Sequence, residues 1–202
     1  MRRRRSIFRR SLRPDTWKAR LDAGGVDALR VWKAERKTMS DIIIAGVFIG
    51  LIATALSDVW AVFLEKAFKV PNYGFDVVGR WIGHMARGQF FHKPIFASPP
   101  IPGEKAIGWI AHYALGAAFG FLPILLGGGT DWIARPTWAA AIAAGLLTLA
   151  VPFFIVVPAF GMGVLCSRTP DPWAARRQGV IAHLYYGIAL YIAAIFFAML
   201  MR

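Results

Sequence analysis

Four stretches of this chain are almost without polar positions: residues 42–64, 106–126, 138–160 and 178–201. Each is roughly 20 residues or more, and at about 1.5 Å per residue a helix of that length crosses a hydrocarbon layer of about 30 Å. The pattern therefore predicts an all-α, polytopic membrane protein with four transmembrane helices. A soluble bundle would need a polar outer face on each helix, and these stretches have none to offer. Tryptophans cluster at the predicted helix ends, as interfacial belts do. Trp60, Trp109 and Trp173 lie toward one side, and Trp132 and Trp138 toward the other.

The polar stretches between them carry their own patterns. In the first connection, residues 72–89 space Val77, Trp81 and Met85 at helical intervals, which predicts a short interfacial helix over the mouth of the bundle. The following KPIFASPPIPGE holds four prolines and cannot be regular helix. Pro152 and Pro158 fall inside the third apolar stretch, so that helix should kink or break near its end. In SRTPDP, Thr169 or Asp171 should cap the start of helix four.

One phrase occurs twice. Residues 108–118 read GWIAHYALGAA and residues 179–189 read GVIAHLYYGIA, with six identities in eleven positions, 71 residues apart. Helices one and three align more weakly, Gly50-Leu51-Ile52-Ala53 against Gly145-Leu146-Leu147-Thr148. A two-helix unit returns to its starting side, so the chain reads as two parallel two-helix repeats, an arrangement that in transporters places sites at the repeat interface.

The repeated histidine marks the candidate site. Measured from the basic connections, Asp58, His112 and His183 should lie about 9–12 Å deep from one face. Glycines at intervals of four share the face of each: Gly46 and Gly50 before Asp58, Gly108 and Gly116 around His112, Gly179 and Gly187 around His183. Small residues mark close helix contacts in lipid, so these stripes should point into the bundle. Ionisable groups inside a membrane are costly, and pairing a carboxylate with imidazole offsets that cost. Four uses fit the trio: a hydrogen-bonded knot, a proton or small-ion relay, a metal centre of two imidazoles and a carboxylate, or bis-histidine haem ligation. Above it, His84 is a candidate cap, and Arg80, Arg87 and Glu104 are candidate contacts for a headgroup or an anion, beside His92.

Composition agrees with the membrane reading. The chain is 57% hydrophobic and only 17% charged, with a mean hydropathy of +0.50. The formal charge of +13 is uneven, because residues 1–38 alone hold 13 Lys/Arg and 4 Asp/Glu, a net +9. That basic head lacks nucleic-acid motifs and interleaved stacking aromatics, so no nucleic-acid partner is expected. It reads instead as a disordered extension, or as sequence upstream of a start at Met39, leaving residues 39–202 as the transmembrane domain. With Met39 as the start, the positive-inside rule puts the two basic connections, 65–105 and the one before helix four, in the cytoplasm. The single cysteine, Cys166, excludes an intrachain disulfide.

Together GRWIGHM at 79–85, GWIAHY at 108–113, the PFF and PAFGMG of 152–163 and SRTP at 167–170 resemble an uncharacterised bacterial inner-membrane family of small four-helix proteins, a domain of unknown function. The resemblance covers about Asp41 to Leu200. It implies a multi-pass bacterial inner-membrane protein whose relatives begin near the equivalent of Met39, and it brings no activity or cofactor with it. No phosphate-binding loop, dinucleotide fingerprint, zincin motif or nucleophile elbow is present, so an enzyme is the weaker expectation. Three classes follow: a small transporter or ion-conducting subunit acting as a homo-oligomer, a metal- or haem-binding membrane protein, and a structural or accessory subunit.

Overall fold

Apolar helix formers broken by Gly and Pro determine where each element starts and stops. A computed structural model describes the backbone of residues 15–70 and 74–201, and the side chains of residues 38–70 and 74–201. Met1–Ser40 and Asp41–Arg202 form two separate compact units. Of the basic head, residues 1–14 lie outside the described residues, and 15–37 are described by their backbone alone, which is helical.

Among the described residues there is helix and no strand. Helix α1 is Asp15–Phe68, α2 Asp76–Met85, α3 Glu104–Phe119, α4 Phe121–Gly127, α5 Thr130–Ala134, α6 Trp138–Thr148, α7 Val157–Ala159 and α8 Pro172–Leu200. Four segments are long and apolar enough to cross a membrane: Thr38–Phe68, Glu104–Gly127, Trp138–Ala159 and Pro172–Leu200, hereafter spans one to four. They contain the four apolar stretches almost entirely and extend the first at both ends and the fourth at its start by a turn or more.

Local chemistry explains the ends and breaks. Asp171 caps α8 by accepting the Ala174 N–H at 3.0 Å, with Pro172 at the first helical position. Span three is interrupted as its prolines require: α6 ends at Thr148, and Pro152–Val156 form a π-helical turn before the short α7. Proline supplies no N–H and its ring crowds the preceding turn, so the regular ladder cannot pass through it. The helix expected within residues 72–89 is α2, Asp76–Met85.

Small residues dominate the core. Ala45, Ile49 and Ala53 of span one pack with Ala141 and Ala144 of span three and with Ala189, Leu190, Ala193, Ala194 and Phe197 of span four. Lipid tails are as apolar as leucine, so helices in a membrane associate through close packing, which small residues permit. The tightest approaches are at glycine. A Cβ on Gly50 would run into the Gly116 carbonyl, and one on Gly145 would meet the Gly187 backbone. Spans one and two thus cross at Gly50/Gly116, and spans three and four at Gly145/Gly187. In the most apolar 18 residues of each span only 22 to 39% are buried in the protein, and large apolar side chains such as Val59, Ile110 and Leu125 face outward, as they do on lipid-embedded helices. The chain is a multi-pass membrane protein.

Candidate functional site

Eight residues below the Gly50 crossing, span one presents Asp58 to span two. His112 and Tyr113 are consecutive on α3, about 100° apart around the axis, and so reach the carboxylate from two directions. His112 Nε2 lies 2.9 Å from Asp58 Oδ1, and the Tyr113 hydroxyl donates to Oδ2 at 2.9 Å. With Asp58 ionised it can only accept, so His112 must carry its proton on Nε2. The Asp58 and His112 side chains are 19 and 23% exposed, sheltered without being sealed.

A second layer of aromatic rings surrounds the pair. Phe75, just before α2, stacks on the His112 imidazole with ring centres 3.8 Å apart, and Trp109 meets it edge-on at 5.8 Å. Phe75 reaches this position because α2 lies directly on α3. A Cβ on Gly79 would strike the Glu104 carbonyl, and one on Gly108 the Phe75 carbonyl. The ring above His112 is therefore Phe75.

His183 is placed elsewhere. Its Nδ1 lies 2.8 Å from Thr148 Oγ1, while the Thr148 hydroxyl donates to the Gly145 carbonyl at 2.5 Å. One hydroxyl carries one hydrogen, so Thr148 accepts from the imidazole and His183 carries its proton on Nδ1. The structure thus brings Asp58 and His112 together and ties His183 to span three. Similar depth suggested one cluster, but azimuth decides: the Gly145 stripe packs against Gly187 and the His183 carbonyl, turning that face of span four toward span three. The two halves still touch through aromatic side chains. Trp60 and Tyr185 stack with ring centres 4.7 Å apart, and the Tyr186 hydroxyl lies 3.4 Å from the Gly116 carbonyl.

The flanking candidates form a separate polar clasp. Arg80 makes a two-pronged ion pair with Glu104, at 2.9 and 2.8 Å, and points Nη1 at the Ser98 carbonyl at 3.3 Å. The bond to Glu104 raises the Arg80 pKa further above its ordinary value, against the opposing effect of burial. His84 is buried with Nε2 2.9 Å from the Pro99 carbonyl, and its ring meets His92 edge-on at 5.3 Å. His92 is 3% exposed, with Nδ1 2.7 Å from Ser98 Oγ, and burial followed by the nearby His84 lowers its pKa. Arg87 is exposed.

Sequence reasoning missed Tyr113, Phe75 and Thr148 as partners. Tyr113 adjoins the histidine in IAHY, and Thr148 stands in the aligned Gly145 segment, so both were in view; Phe75 had no local signal. A metal centre needs three or four donors converging on one point. Among the described residues no group of three His, Cys, Asp or Glu side chains is so arranged. Bis-histidine haem ligation fits no better, because His112 spends Nε2 on Asp58 and a ring face on Phe75.

No curated protein and no solved structure matches this chain. A family model described as "Protein of unknown function (DUF2938)" matches residues 47–197, from the start of the Gly50 crossing to the core residue Phe197. The chain, with its four apolar spans, its paired Asp58 and His112 and its second histidine on span four, belongs to that family.

Proposed function

We propose that the Asp58–His112–Tyr113 group is an intramembrane proton-binding site that serves passage of protons, or of a small ion or solute coupled to them, in the inner membrane of a bacterium. The observation that carries this reading is the carboxylate holding an imidazole and a phenol, each at 2.9 Å, within the spans. A carboxylate and an imidazole joined by one hydrogen bond share a proton readily, and imidazole exchanges protons near neutral pH. Partial exposure gives that proton a route out, and the Phe75 and Trp109 rings limit water on the remaining sides. Two aligned crossings, Gly50/Gly116 and Gly145/Gly187, support two parallel repeats, of which the first carries the site. Four spans make a small path, so the working unit on this reading is a homo-oligomer.

The test is proton flux in vesicles carrying the full chain and an internal pH dye. Wild-type protein and Thr148→Val should dissipate an imposed pH gradient, whereas Asp58→Asn and His112→Gln should not. Wild-type vesicles as tight as empty ones, or unchanged flux in both site variants, would overturn the proposal.

A second reading has its own support. The same hydrogen bonds join span one to span two as Thr148 joins span three to span four, so the group would be a structural tie. On that reading Asp58→Asn lowers stability and has no effect on flux.

A further inference from the structure

The loop Gln89–Ser98 presents a surface that the intramembrane site does not use. His92 and Ile95 face inward, 3 and 0% exposed, while Phe90, Phe91 and Phe96 are 50, 74 and 47% exposed. Lys93 and Arg87 are exposed beside them. The loop is firmly pinned. The His92 N–H donates to the Ala159 carbonyl at 2.9 Å and the Ile95 N–H to the Phe160 carbonyl at 3.0 Å. The Trp81 indole N–H donates to the Phe90 carbonyl at 2.9 Å. Gly161, at φ +87°, lies so close under the His92 carbonyl that a Cβ would collide with it.

Ala159 is the last residue of span three, so these bonds hold the loop at the level where that span leaves the apolar layer. The rings cannot turn inward, because His92 and Ile95 already occupy the inner positions. From Arg87 to Gly103 the chain has no acidic residue, and Glu104 beyond it is held by Arg80. We propose that this loop is a lipid-interface wedge: Phe90, Phe91 and Phe96 seat at the boundary between acyl chains and headgroups, and Lys93 and Arg87 contact the phosphates of anionic phospholipid.

Three observations select lipid as the occupant: the level of the loop, three apolar rings on a pinned backbone, and flanking charges of one sign. Aromatic side chains concentrate at this depth, and basic side chains beside them gain from the negative surface of an anionic leaflet. A second copy packed symmetrically on the same face would bring two surfaces of the same positive sign together, so self-association through this face is disfavoured. The mouth of span four repeats the combination, with Trp173 77% exposed and Arg177 exposed.

The wedge can be tested with the full chain in vesicles, a fluorescent label at Phe91→Cys in a Cys166→Ser background, and a parallel label at Phe96→Cys. Vesicles are phosphatidylcholine alone or mixed with phosphatidylglycerol. The label should be quenched by nitroxide lipid near the carbonyl level and shielded from aqueous iodide. Phosphatidylglycerol should increase the lipid quenching, and Lys93→Gln with Arg87→Gln should abolish that increase. Labels open to iodide at both positions would overturn the wedge, as would shielding that follows protein concentration in detergent. Lipid quenching indifferent to phosphatidylglycerol would overturn the headgroup contact.

Discussion

His112 and His183 stand in the same phrase on two spans, each four residues before a glycine at a helix crossing, yet they belong to different chemistry. His112 meets a carboxylate and shares it with Tyr113. His183 meets a threonine hydroxyl already committed to a backbone carbonyl. Two positions differ at the polar partners when the segments are aligned. In the alignment of spans one and three, Asp58 corresponds to Phe153, which is buried and packs on Gly179. In the histidine phrases, Tyr113 corresponds to Leu184, while Tyr185 and Tyr186 turn back toward spans one and two. Each half has a close glycine-to-glycine crossing, and only in the first does the histidine meet a carboxylate. The same phrase of residues can thus pack in two places while the residue one or two turns away decides whether its histidine meets a carboxylate or a hydroxyl.

The largest test breaks what the halves share. Gly50→Leu and Gly145→Leu each drive a side chain into opposing backbone, and overpacking of this kind costs about 1–3 kcal/mol or more. Both variants should lose folded protein in detergent unfolding, to similar extents. If one were tolerated, the two crossings would not be equivalent.

Removing the acid comes next. Asp58→Ala strands the His112 N–H and the Tyr113 hydroxyl, and hydrogen bonds to a charged group contribute about 1.5–3 kcal/mol. Thr148→Val takes the acceptor from the His183 N–H and the donor from the Gly145 carbonyl, but both bonds join neutral groups, at about 1 kcal/mol or less each. The same unfolding measurement should therefore rank Asp58→Ala well below Thr148→Val. Tyr113→Phe should fall between them, since it removes one donor and leaves His112 paired.

The smallest expected effect is a pH dependence confined to the first connection. Burial and His84 hold His92 below its ordinary pKa of 6.5 in the folded state. The unfolded state then binds more protons in the window beneath 6.5, so that contribution to stability is present above the window and shrinks as pH falls through it. Hydrogen-exchange protection factors, taken relative to the intrinsic base-catalysed rate at each pH, should fall at residues 89–98 on moving from pH 7.5 to 5.5, while those around Gly145 change little. His92→Asn should flatten the difference.

How much of this was legible depends on the range of the interaction. The four spans, the amphipathic α2, the break at Pro152 and the Asp171 cap are written in periodicity and in residues a few positions apart, because helix formation is decided by near neighbours. The glycine stripes marked the packing faces for the same reason: residues at intervals of four share a face whatever lies opposite. What lay opposite was not legible. Asp58 and His112 are 54 positions apart, and Thr148 and His183 35, so only the packed spans could say which imidazole found the carboxylate. Depth along a helix follows from counting residues, and this placed Asp58, His112 and His183 near one level. Rotation about each axis is set by the neighbouring helix through close contacts at Gly50, Gly116, Gly145 and Gly187, and those contacts, which exist only in the tertiary structure, parted His183 from the other two.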